Sequence, residues 1–239
     1  MHFIEPALAL KDVNAWYGES HVLHGVSLEV HTGECVSLLG RNGAGRTTLL
    51  RSILGLVDRR EGQIRVLGRQ TTQWPTHRIA RLGIGYCPDE RGIFSALTCE
   101  ENLLLPPVLN QTGSERLSLD EVYELFPNLR ERRKSPGAKL SGGEQQMLAL
   151  GRILRTGATL LLLDEISEGL APVIVQTLAR AIAQLKSKGY TIVLVEQNFR
   201  FAAPLADRML VIEHGRVEEH IDRRELSAKM PRLHELLGV

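Results

Sequence analysis

The chain has 239 residues, 43% of them hydrophobic, and its 29 basic and 28 acidic residues leave a net charge of +1. This length suffices for one large domain with a substantial core, and the balanced charge argues against a surface made for coating nucleic acid. Three widely spaced cysteines without a C-x-x-C pair favour neither a disulfide framework nor a zinc site and fit a reduced, cytosolic setting. No uncharged apolar run reaches about 18 residues, so we predict a protein that is not exported and does not span a membrane by itself.

The first predicted elements lead into a glycine-rich loop. Residues 7 to 31 contain two short strands, ALKDVNAWY and GVSLEVH, and 34-ECVSLLG-40 has the apolar run of a buried strand. It continues directly into 40-GRNGAGRTTLL-50, after which TTLLRSILGL has helical spacing and ends at GLVDRREG. Strand, glycine loop and helix in this order are what a phosphate-binding unit requires.

The middle of the chain changes character. GQIRVLG (62–68) and GIGYC (83–87) are predicted strands, but from about 95 to 156 the strand signals vanish. Helical apolar spacing takes their place in LTCEENLLL, SLDEVYELF and EQQMLALGRILR. We therefore predict a mostly helical subdomain inserted between two parts of an α/β core.

The core resumes after this insertion. TLLLLDE (159–165) and YTIVLVE (190–196) are predicted buried parallel strands flanking the helix VIVQTLARAIAQLKSKG, and MLVIEHGRVEEH is predicted to form a hairpin turning at His214-Gly215. The predicted organisation is one domain over residues 1–239, with the α/β core and its β subdomain at about 1–94 and 157–239 and the helical subdomain at about 95–156.

The glycine loop fits the phosphate-binding pattern G-x-x-x-x-G-K-[ST] at Gly40, Gly45 and Thr47 but has Arg46 in place of lysine. In such a loop, backbone N–H groups and the following helix N-terminus surround a phosphate. Thr47 is expected to place its hydroxyl on Mg²⁺, and Arg46 to reach the β- and γ-phosphates. The alternative is a plain glycine-rich turn. The predicted nucleotide-binding residues of the loop are Gly40, Asn42, Gly43, Ala44, Gly45, Arg46, Thr47 and Thr48.

Two carboxylates end the predicted strand 160-LLLLDE-165. Open α/β sheets bind ligands at the carboxyl ends of their strands. We therefore predict that Asp164 belongs to the Mg²⁺ shell and that Glu165 polarises the attacking water as a general base. Ordinary strands also end in solvated acids, but the phosphate-type loop upstream favours the functional interpretation.

A second candidate phosphate contact is 140-LSGGEQQ-146. Ser141 and Glu144 also fit a plain capping box that opens a helix. Such a box needs no glycines, and two of them in a first turn cost about 1 kcal/mol each relative to alanine. Gly142 and Gly143 thus indicate that something approaches the backbone closely, such as a phosphate. Because the chain already has one phosphate loop, this helix is predicted to serve a nucleotide held by another subunit.

The combination of GRNGAGRTT, LSGGEQQ and LLLLDE, in this order and spacing, resembles the ATP-binding subunit of an ABC transporter over essentially the full length. The chain is most similar to the ATPase subunits of branched-chain amino acid importers, through 86-YCPDERGIFSALTCEENL-103, LSGGEQQMLALGR, SEGLAPVIVQ and 193-VLVEQN-198. The resemblance implies a P-loop NTPase core of ABC ATPase type with an N-terminal antiparallel β subdomain and an inserted helical subdomain. It also implies a head-to-tail dimer that holds two ATP molecules with Mg²⁺, each between one subunit's glycine loop and the other's LSGGE.

The resemblance assigns roles to further residues. Tyr17, in WYGESHVL, lies where the family places an aromatic ring against adenine. Asp89 lies where most members have a Gln that touches Mg²⁺ and senses the membrane partner, and many importers of this subgroup have an acid there. Gln197 lies where most have a His that contacts the γ-phosphate, and a Gln donates a hydrogen bond without titrating between about pH 5 and 8. The residues implied to bind the partner subunit's nucleotide are Ser141, Gly142, Gly143 and Glu144.

Three departures from the family pattern bear on catalysis. Ile166 follows Glu165 where proline is usual, which is expected to loosen the strand end, and Pro172 replaces an Asp that spans the dimer, as in the importer subgroup. Arg46 keeps the charge of lysine in a longer, planar fork. We predict that it binds the β- and γ-phosphates with shifted geometry. The competing hypothesis is a degenerate or regulatory subunit that binds ATP without turning it over.

The resemblance implies an ATPase that powers a membrane importer as a peripheral subunit on the cytoplasmic face of the inner membrane. It favours branched-chain or related amino acids as cargo, permease subunits docked near Asp89, a second and different ABC ATPase subunit, and an indirect partner in a periplasmic or extracellular solute-binding protein. A DNA-maintenance ATPase of similar core is the weaker alternative. Only about 95 residues separate the glycine loop from LSGGE, without a long heptad run or cysteine pairs, so nucleic acid is not a predicted partner.

Overall fold

The structure is a computed structural model that describes residues 5–107, 109 and 116–238. Its strands are β1 Leu8–Tyr17, β2 Ser20–Val30, β3 Cys35–Leu39, β4 Arg59–Val66, β5 Arg69–Gln70, β6 Ile84–Cys87, β7 Leu160–Asp164, β8 Thr191–Val195, β9 Arg208–Glu213 and β10 Arg216–Asp222. Its helices are α1 Arg46–Leu54, α2 Thr76–Ala80, α3 Cys99–Leu104, α4 Leu119–Leu125, α5 Pro127–Glu131, α6 Gly142–Leu154, α7 Pro172–Ser187, α8 Phe199–Ala202 and α9 Leu226–Leu237.

The strands form two sheets. One has the order β2-β1-β4-β5 with antiparallel pairing, and the other has the order β10-β9-β3-β8-β7-β6. In the second sheet, neighbours from β9 to β6 run parallel, while β10 returns antiparallel to β9 through a turn at His214 and Gly215. The predicted antiparallel subdomain, parallel core strands and C-terminal hairpin are confirmed.

The parallel sheet separates two apolar cores because successive side chains of a strand point to opposite faces. Leu161 and Leu163 of β7 pack in the core that includes residues of α6, α7 and α9, whereas Leu160 and Leu162 pack in the core that includes α1 and the antiparallel sheet. Every residue of β3, β7 and β8 is buried, as expected for strands covered on both faces. The parallel sheet is therefore the middle of three layers.

Two strands begin earlier than their composition predicts. β2 begins at Ser20 rather than at Gly25, and β4 begins at Arg59, inside the charged run expected to follow the first helix. Both extensions pair with β1, Ser20 opposite Tyr17 and Arg59 opposite Trp16. Pairing with a neighbouring strand overrides a weak local propensity.

Between β6 and β7 the described residues form α3 to α6, in keeping with the predicted loss of strand signals, apart from an isolated bridge between Thr98 and Pro136. The limits of this segment as a subdomain, about 95 and 156, stay a prediction. No helix in the described parts of the chain combines the length and the apolar character that crossing a bilayer requires.

Three neighbouring strands of the parallel sheet end at one place. β8 lies between β3 and β7, so the chain leaves the same edge of the sheet after Leu39, Asp164 and Val195. This edge, formed by carboxyl ends of parallel strands, is where open α/β sheets bind ligands. The glycine loop and the turns after β7 and β8 therefore surround one site.

Candidate active site

The glycine loop joins β3 to α1 and is held against the β9–β10 hairpin. The Gly215 N–H donates to the Ala44 carbonyl at 2.8 Å, and a side chain on Gly40 would collide with the Ile212 carbonyl. Gly45, immediately before α1, has φ 106°, a conformation that side chains disfavour. The path of the loop itself thus requires the glycines at positions 40 and 45.

The N-terminus of α1 is one of several helix starts without a side-chain cap, together with those of α2, α5, α7 and α9. No residue that the structure describes caps α1 through its side chain, and its first turn contains no acid. By contrast, capping boxes close α3, α4 and α6 at Thr98, Ser118 and Ser141. A helix start without a cap presents N–H groups and a partial positive charge. This end of α1 is therefore suited to an anion.

Arg46 is buried inside the site, with 4% of its side chain exposed. Its Nη2 donates to Glu165 Oε1 at 2.6 Å and to Asn42 Oδ1 at 3.3 Å. Its Nη1 is buried without a hydrogen-bond partner among the described residues. A buried donor without an acceptor is costly, and a phosphate oxygen would satisfy it with a charge-assisted bond. The site thus fits an anionic ligand beside Arg46.

Asp164 is the centre of a polar network behind the loop. Thr47 Oγ1 and the Tyr86 hydroxyl each donate to one of its carboxylate oxygens at 3.1 Å. Hydrogen bonds with the hydroxyls of Tyr17 and Tyr86 raise the pKa of Arg51. The guanidinium group of Arg51 therefore lies beside both rings. Tyr86 and Arg51 were not predicted as site residues, since each lies within an element whose other residues indicate packing.

The oxygens of Thr47 and Asp164 fit Mg²⁺, which usually binds through one or two carboxylates together with substrate phosphates. In the described parts of the chain, no group of three or more His, Cys, Asp or Glu residues is placed to hold a metal by itself. The donor set therefore fits a cation that arrives with a phosphate ligand.

Glu165 follows β7 in a left-handed conformation, with φ 48°, which is uncommon for a residue other than glycine. Its N–H donates to the Val195 carbonyl at 2.9 Å, and Ile166 after it is buried. Both contacts hold the turn in place, and the loosening expected from Ile166 stays a prediction. Burial raises the pKa of Glu165 to about 7; a hydrogen bond with Glu168 acts in the same direction, and Arg46 opposes both.

The glycine loop, Asp89 and Glu165 line one cavity of about 310 Å³, together with Val22. The predicted loop residues in this lining are Asn42, Gly43, Ala44, Gly45, Arg46, Thr47 and Thr48. Gly40 lies at the start of the loop, and Asp164 contacts the cavity through Thr47. Tyr17, at the end of β1, is half-buried and is not part of the lining. The structure thus brings the glycine loop, Asp89 and Glu165 together around one cavity, whereas Tyr17 lies outside its lining.

Gln197 lines a neighbouring cavity of about 870 Å³ that also includes Glu165. Beside it, the buried Glu196 accepts hydrogen bonds from Ser167 N at 3.1 Å and Ser167 Oγ at 2.7 Å. Burial raises the pKa of Glu196 to about 7, although the Ser167 bonds oppose the shift. This pair was not predicted from the sequence. Its only signal was position, since Ser167 follows Glu165 by two residues and Glu196 directly precedes Gln197.

The LSGGE segment begins α6 and lines neither cavity within the described residues. The Ser141 N–H donates to Glu144 at 2.7 Å, and the Glu144 N–H donates to Ser141 Oγ at 3.3 Å, so the capping box is complete. A Cβ on Gly143 would lie 2.8 Å from Ile174 of α7. Close packing of α6 on α7 therefore explains Gly143 without a phosphate. This weakens the argument from the two glycines, and the contact in trans stays a prediction.

A glycine loop, an uncapped helix and a strand that ends in paired carboxylates define a phosphate-binding α/β protein. Residues 23–168 match the family model for the ABC transporter, and the chain belongs to this family. It is 45% identical over 213 residues to the high-affinity branched-chain amino acid transport ATP-binding protein BraG of Pseudomonas aeruginosa, covering 89% of this chain and 91% of that relative.

Two further comparisons extend this result. The chain is 35% identical to the probable branched-chain amino acid transport ATP-binding protein LivF of Archaeoglobus fulgidus, covering 86% of this chain and 87% of that relative. It also resembles a solved dimeric ATP-binding cassette in a post-hydrolysis state bound to ADP and Pi, with a TM-score of 0.78, 25% identity and coverage of 91% of this chain and 99% of that one. The ABC ATPase fold expected from the motifs is confirmed.

Proposed function

We propose that the chain is the ATP-binding and ATP-hydrolysing subunit of a membrane importer. The observation that carries the proposal is the buried, unpaired Nη1 of Arg46 at the start of an uncapped helix, beside the Thr47–Asp164 pair. This arrangement offers donors to the β- and γ-phosphates and oxygens to Mg²⁺. A neutral ligand would leave both features unused.

In this proposal the side chains have separate tasks. Thr47, Asp164 and Asp89 hold Mg²⁺, which neutralises phosphate charge when it is bound. Glu165 takes a proton from the attacking water, and Gln197 donates a hydrogen bond to the γ-phosphate. Tyr17 contacts the adenine ring. The residues that serve the partner subunit's nucleotide are Ser141, Gly142, Gly143 and Glu144.

Because position 46 is arginine rather than lysine, the proposed reaction requires this side chain to move away from Glu165. Its Nη2 is bonded to Glu165, and a phosphate bound by Nη1 alone would leave that ion pair in place. A neighbouring positive charge lowers the pKa of a carboxylate and weakens it as a base. We therefore expect Glu165 to become active only when Arg46 moves from the carboxylate onto the phosphates.

The partners follow from the relatives and from the surface. BraG and LivF are ATP-binding proteins of branched-chain amino acid transport, which supports branched-chain or related amino acids as cargo. We propose permease subunits as direct partners at the cytoplasmic face of the inner membrane, a solute-binding protein as an indirect partner, and no nucleic acid. Exposed Phe94, Leu104 and Leu105 follow Asp89 along the chain and offer the permease an apolar contact. The dimeric cassette supports a second ATPase subunit, identical or related.

A second candidate function is a nucleotide-binding subunit with impaired hydrolysis. The Arg46–Glu165 ion pair favours it, because the proposed base is engaged by a cation of its own chain. A competent partner subunit would then supply the hydrolysis. The two candidates share ATP binding and differ in the activity of this chain's own loop.

Equilibrium binding of Mg-ATP to the Glu165→Gln chain, with and without Arg46→Lys, tests the proposal. Removing the base separates binding from turnover, so we expect similar dissociation constants for the two proteins. Arg46→Ala is the matched control and should weaken binding about tenfold or more, because a charge-assisted contact is lost. If binding requires Arg46→Lys, the natural loop is impaired in the isolated chain and the proposal is overturned. Substantial hydrolysis by a mixed dimer that carries this loop and the partner's LSGGE would count against the second candidate.

A further inference from the structure

A basic cavity lies at the edge of the parallel sheet opposite the glycine loop. Its volume is about 840 Å³, and its lining includes Arg69, Trp74, His77, Arg78, Arg81 and Thr159. Thr159 directly precedes β7, whereas the candidate active site follows the end of that strand. Arg69, His77, Arg78 and Arg81 are all exposed, so the cavity is open to solvent on the side of these residues. The proposed ATPase cycle makes no use of this cavity.

Three guanidinium groups of the lining have no counter-ion among the residues that the structure describes. None of Arg69, Arg78 and Arg81 forms an ion pair with a carboxylate in the described parts of the chain. The lining itself contains no Asp or Glu among the described residues. In a chain whose net charge is only +1, this concentration of positive charge creates a local field that attracts an anion.

The wall of the cavity is held in place by another arginine. The Arg60 guanidinium donates to the carbonyls of Thr71, Thr72 and Trp74 at 3.0, 2.7 and 2.8 Å. These bonds fix the segment that carries the Trp74 ring, and the Arg78 guanidinium lies 3.6 Å from the centroid of that ring. Arg78 is therefore positioned by a cation–π contact rather than by a carboxylate. Its N–H donors stay available for a ligand.

We propose that this cavity binds a small molecule that carries a diphosphate group. Guanidinium forks match pairs of phosphate oxygens. Three arginines balance the charge of a terminal phosphate, about −1.5 to −2, together with that of the phosphate next to it. A nucleic-acid strand would instead need a basic track along the surface, and one concave cavity at one end of the sheet does not provide it.

Isothermal titration calorimetry with Mg²⁺-free pyrophosphate tests the proposal on the full chain that carries Gly43→Asp. Gly43 has φ 78° and open space where a Cβ would lie. Aspartate tolerates this conformation, and its charge repels phosphate from the glycine loop. We expect one pyrophosphate per chain to stay bound in this background. Adding Arg78→Gln and Arg81→Gln should then weaken binding by about tenfold or more.

The matched control is Arg223→Gln with Arg224→Gln, which removes the same charge from exposed residues after β10 and should leave binding unchanged. Thermal unfolding of every variant establishes that it is folded. The proposal is overturned if the Gly43→Asp chain does not bind pyrophosphate, or if binding survives the Arg78 and Arg81 substitutions.

Equal binding of citrate would also overturn it, because the cavity would then attract charge without recognising phosphate. Tighter binding of ADP than of pyrophosphate would support a nucleoside diphosphate as the source of the group, and equal binding would support inorganic diphosphate.

Discussion

At the start of α1, the two terminal nitrogens of Arg46 have different surroundings. Nη2 is engaged by Glu165 and Asn42, while Nη1 is buried without a partner among the described residues. A lysine ammonium carries its three donors on a single nitrogen at the end of a flexible stem, so it would not offer one nitrogen to the carboxylate and a separate one to the phosphates. This single residue therefore ties the proposed general base to the phosphate loop.

We expect Arg46→Lys to increase the rate at which bound ATP is hydrolysed. The ammonium keeps a charge for the phosphates but releases Glu165, whose raised pKa suits proton abstraction. A tenfold gain would correspond to about 1.4 kcal/mol off the barrier. Single-turnover hydrolysis measures it, and Glu165→Gln with Arg46→Lys is the control without a base. An unchanged rate would mean that the ion pair does not limit turnover.

Glu196 gives the site a pH-dependent contribution to stability. It is 1% exposed, and burial raises its pKa from the ordinary value of 4.5 to about 7, with Glu165 adding to the shift and Arg46 and the Ser167 bonds opposing it. Below 4.5 the carboxyl is neutral in both the folded and the unfolded chain. As the pH rises toward 7 the unfolded chain loses this proton first, so the free energy of unfolding decreases.

Glu196→Gln removes this titration and keeps an oxygen for the Ser167 N–H. We expect the variant to gain stability relative to the parent as the pH rises from about 5 to 8, by on the order of 3 kcal/mol at most. Urea unfolding at several pH values measures the difference. The control is Glu218→Gln, the same substitution at an exposed residue. A difference that stays constant across this range would contradict the argument.

At the scale of elements, the residue type at position 166 is compatible with the backbone conformation of the turn after β7. Glu165 has φ 48°, Ile166 is buried, and Ser167 is bonded to Glu196. A proline at position 166, which is usual in the family, would push residue 165 toward extended conformations. Ile166 lacks this restriction and allows the left-handed conformation from which Glu165 reaches Arg46. The departures at positions 46 and 166 therefore act on one ion pair.

Ile166→Pro should break the Arg46–Glu165 pair, whereas Ile166→Val should keep it. A double-mutant cycle on Arg46 and Glu165, measured by urea unfolding, should give a coupling energy of about 0.5–3 kcal/mol in the parent and in the Ile166→Val background. With Ile166→Pro we expect the coupling to fall close to zero. Equal coupling in all three backgrounds would mean that the conformation of residue 165 does not depend on residue 166.

The sequence predicts an element well when local composition decides it. β7 and β8 are apolar runs buried on both faces, so their pattern is visible in the residues themselves. The starts of β2 and β4 were predicted too late because pairing with β1 decides them. No short window of sequence contains that contact.

The same distinction applies to the candidate site. Gly45 and Asp164 follow from local motifs; in the structure Gly45 immediately precedes α1, and Asp164 accepts a hydrogen bond from Thr47. The Arg46–Glu165 ion pair joins residues 119 positions apart, and the Ser167–Glu196 pair joins residues 29 apart. Which carboxylate meets which donor is decided by the packing of the sheet ends, so these contacts were missed.

At the scale of the whole molecule, the glycine loop and the LSGGE segment are separate. The described lining of the glycine-loop cavity includes no residue of LSGGE, and Ser141 at the start of α6 is exposed. A nucleotide in the glycine-loop cavity would therefore not contact this helix of the same chain, and the contact with a nucleotide of another chain stays a proposal. One solved ATP-binding cassette to which this chain is similar is dimeric, and such a contact would require a dimer.

Two substitutions at Ser141 separate the cap of α6 from its proposed contact in trans. Asn and Asp both cap helices about as well as Ser, so Ser141→Asn and Ser141→Asp should both preserve α6. Asp adds a negative charge that would face the partner's γ-phosphate, and like charges brought together at an interface cost several kcal/mol. We expect Mg-ATP to dimerise the Glu165→Gln chain with Ser141→Asn but not with Ser141→Asp, as measured by sedimentation velocity. Equal dimerisation of both variants would place the partner's phosphate away from Ser141, and α6 would then begin with a capping box that has no part in nucleotide binding.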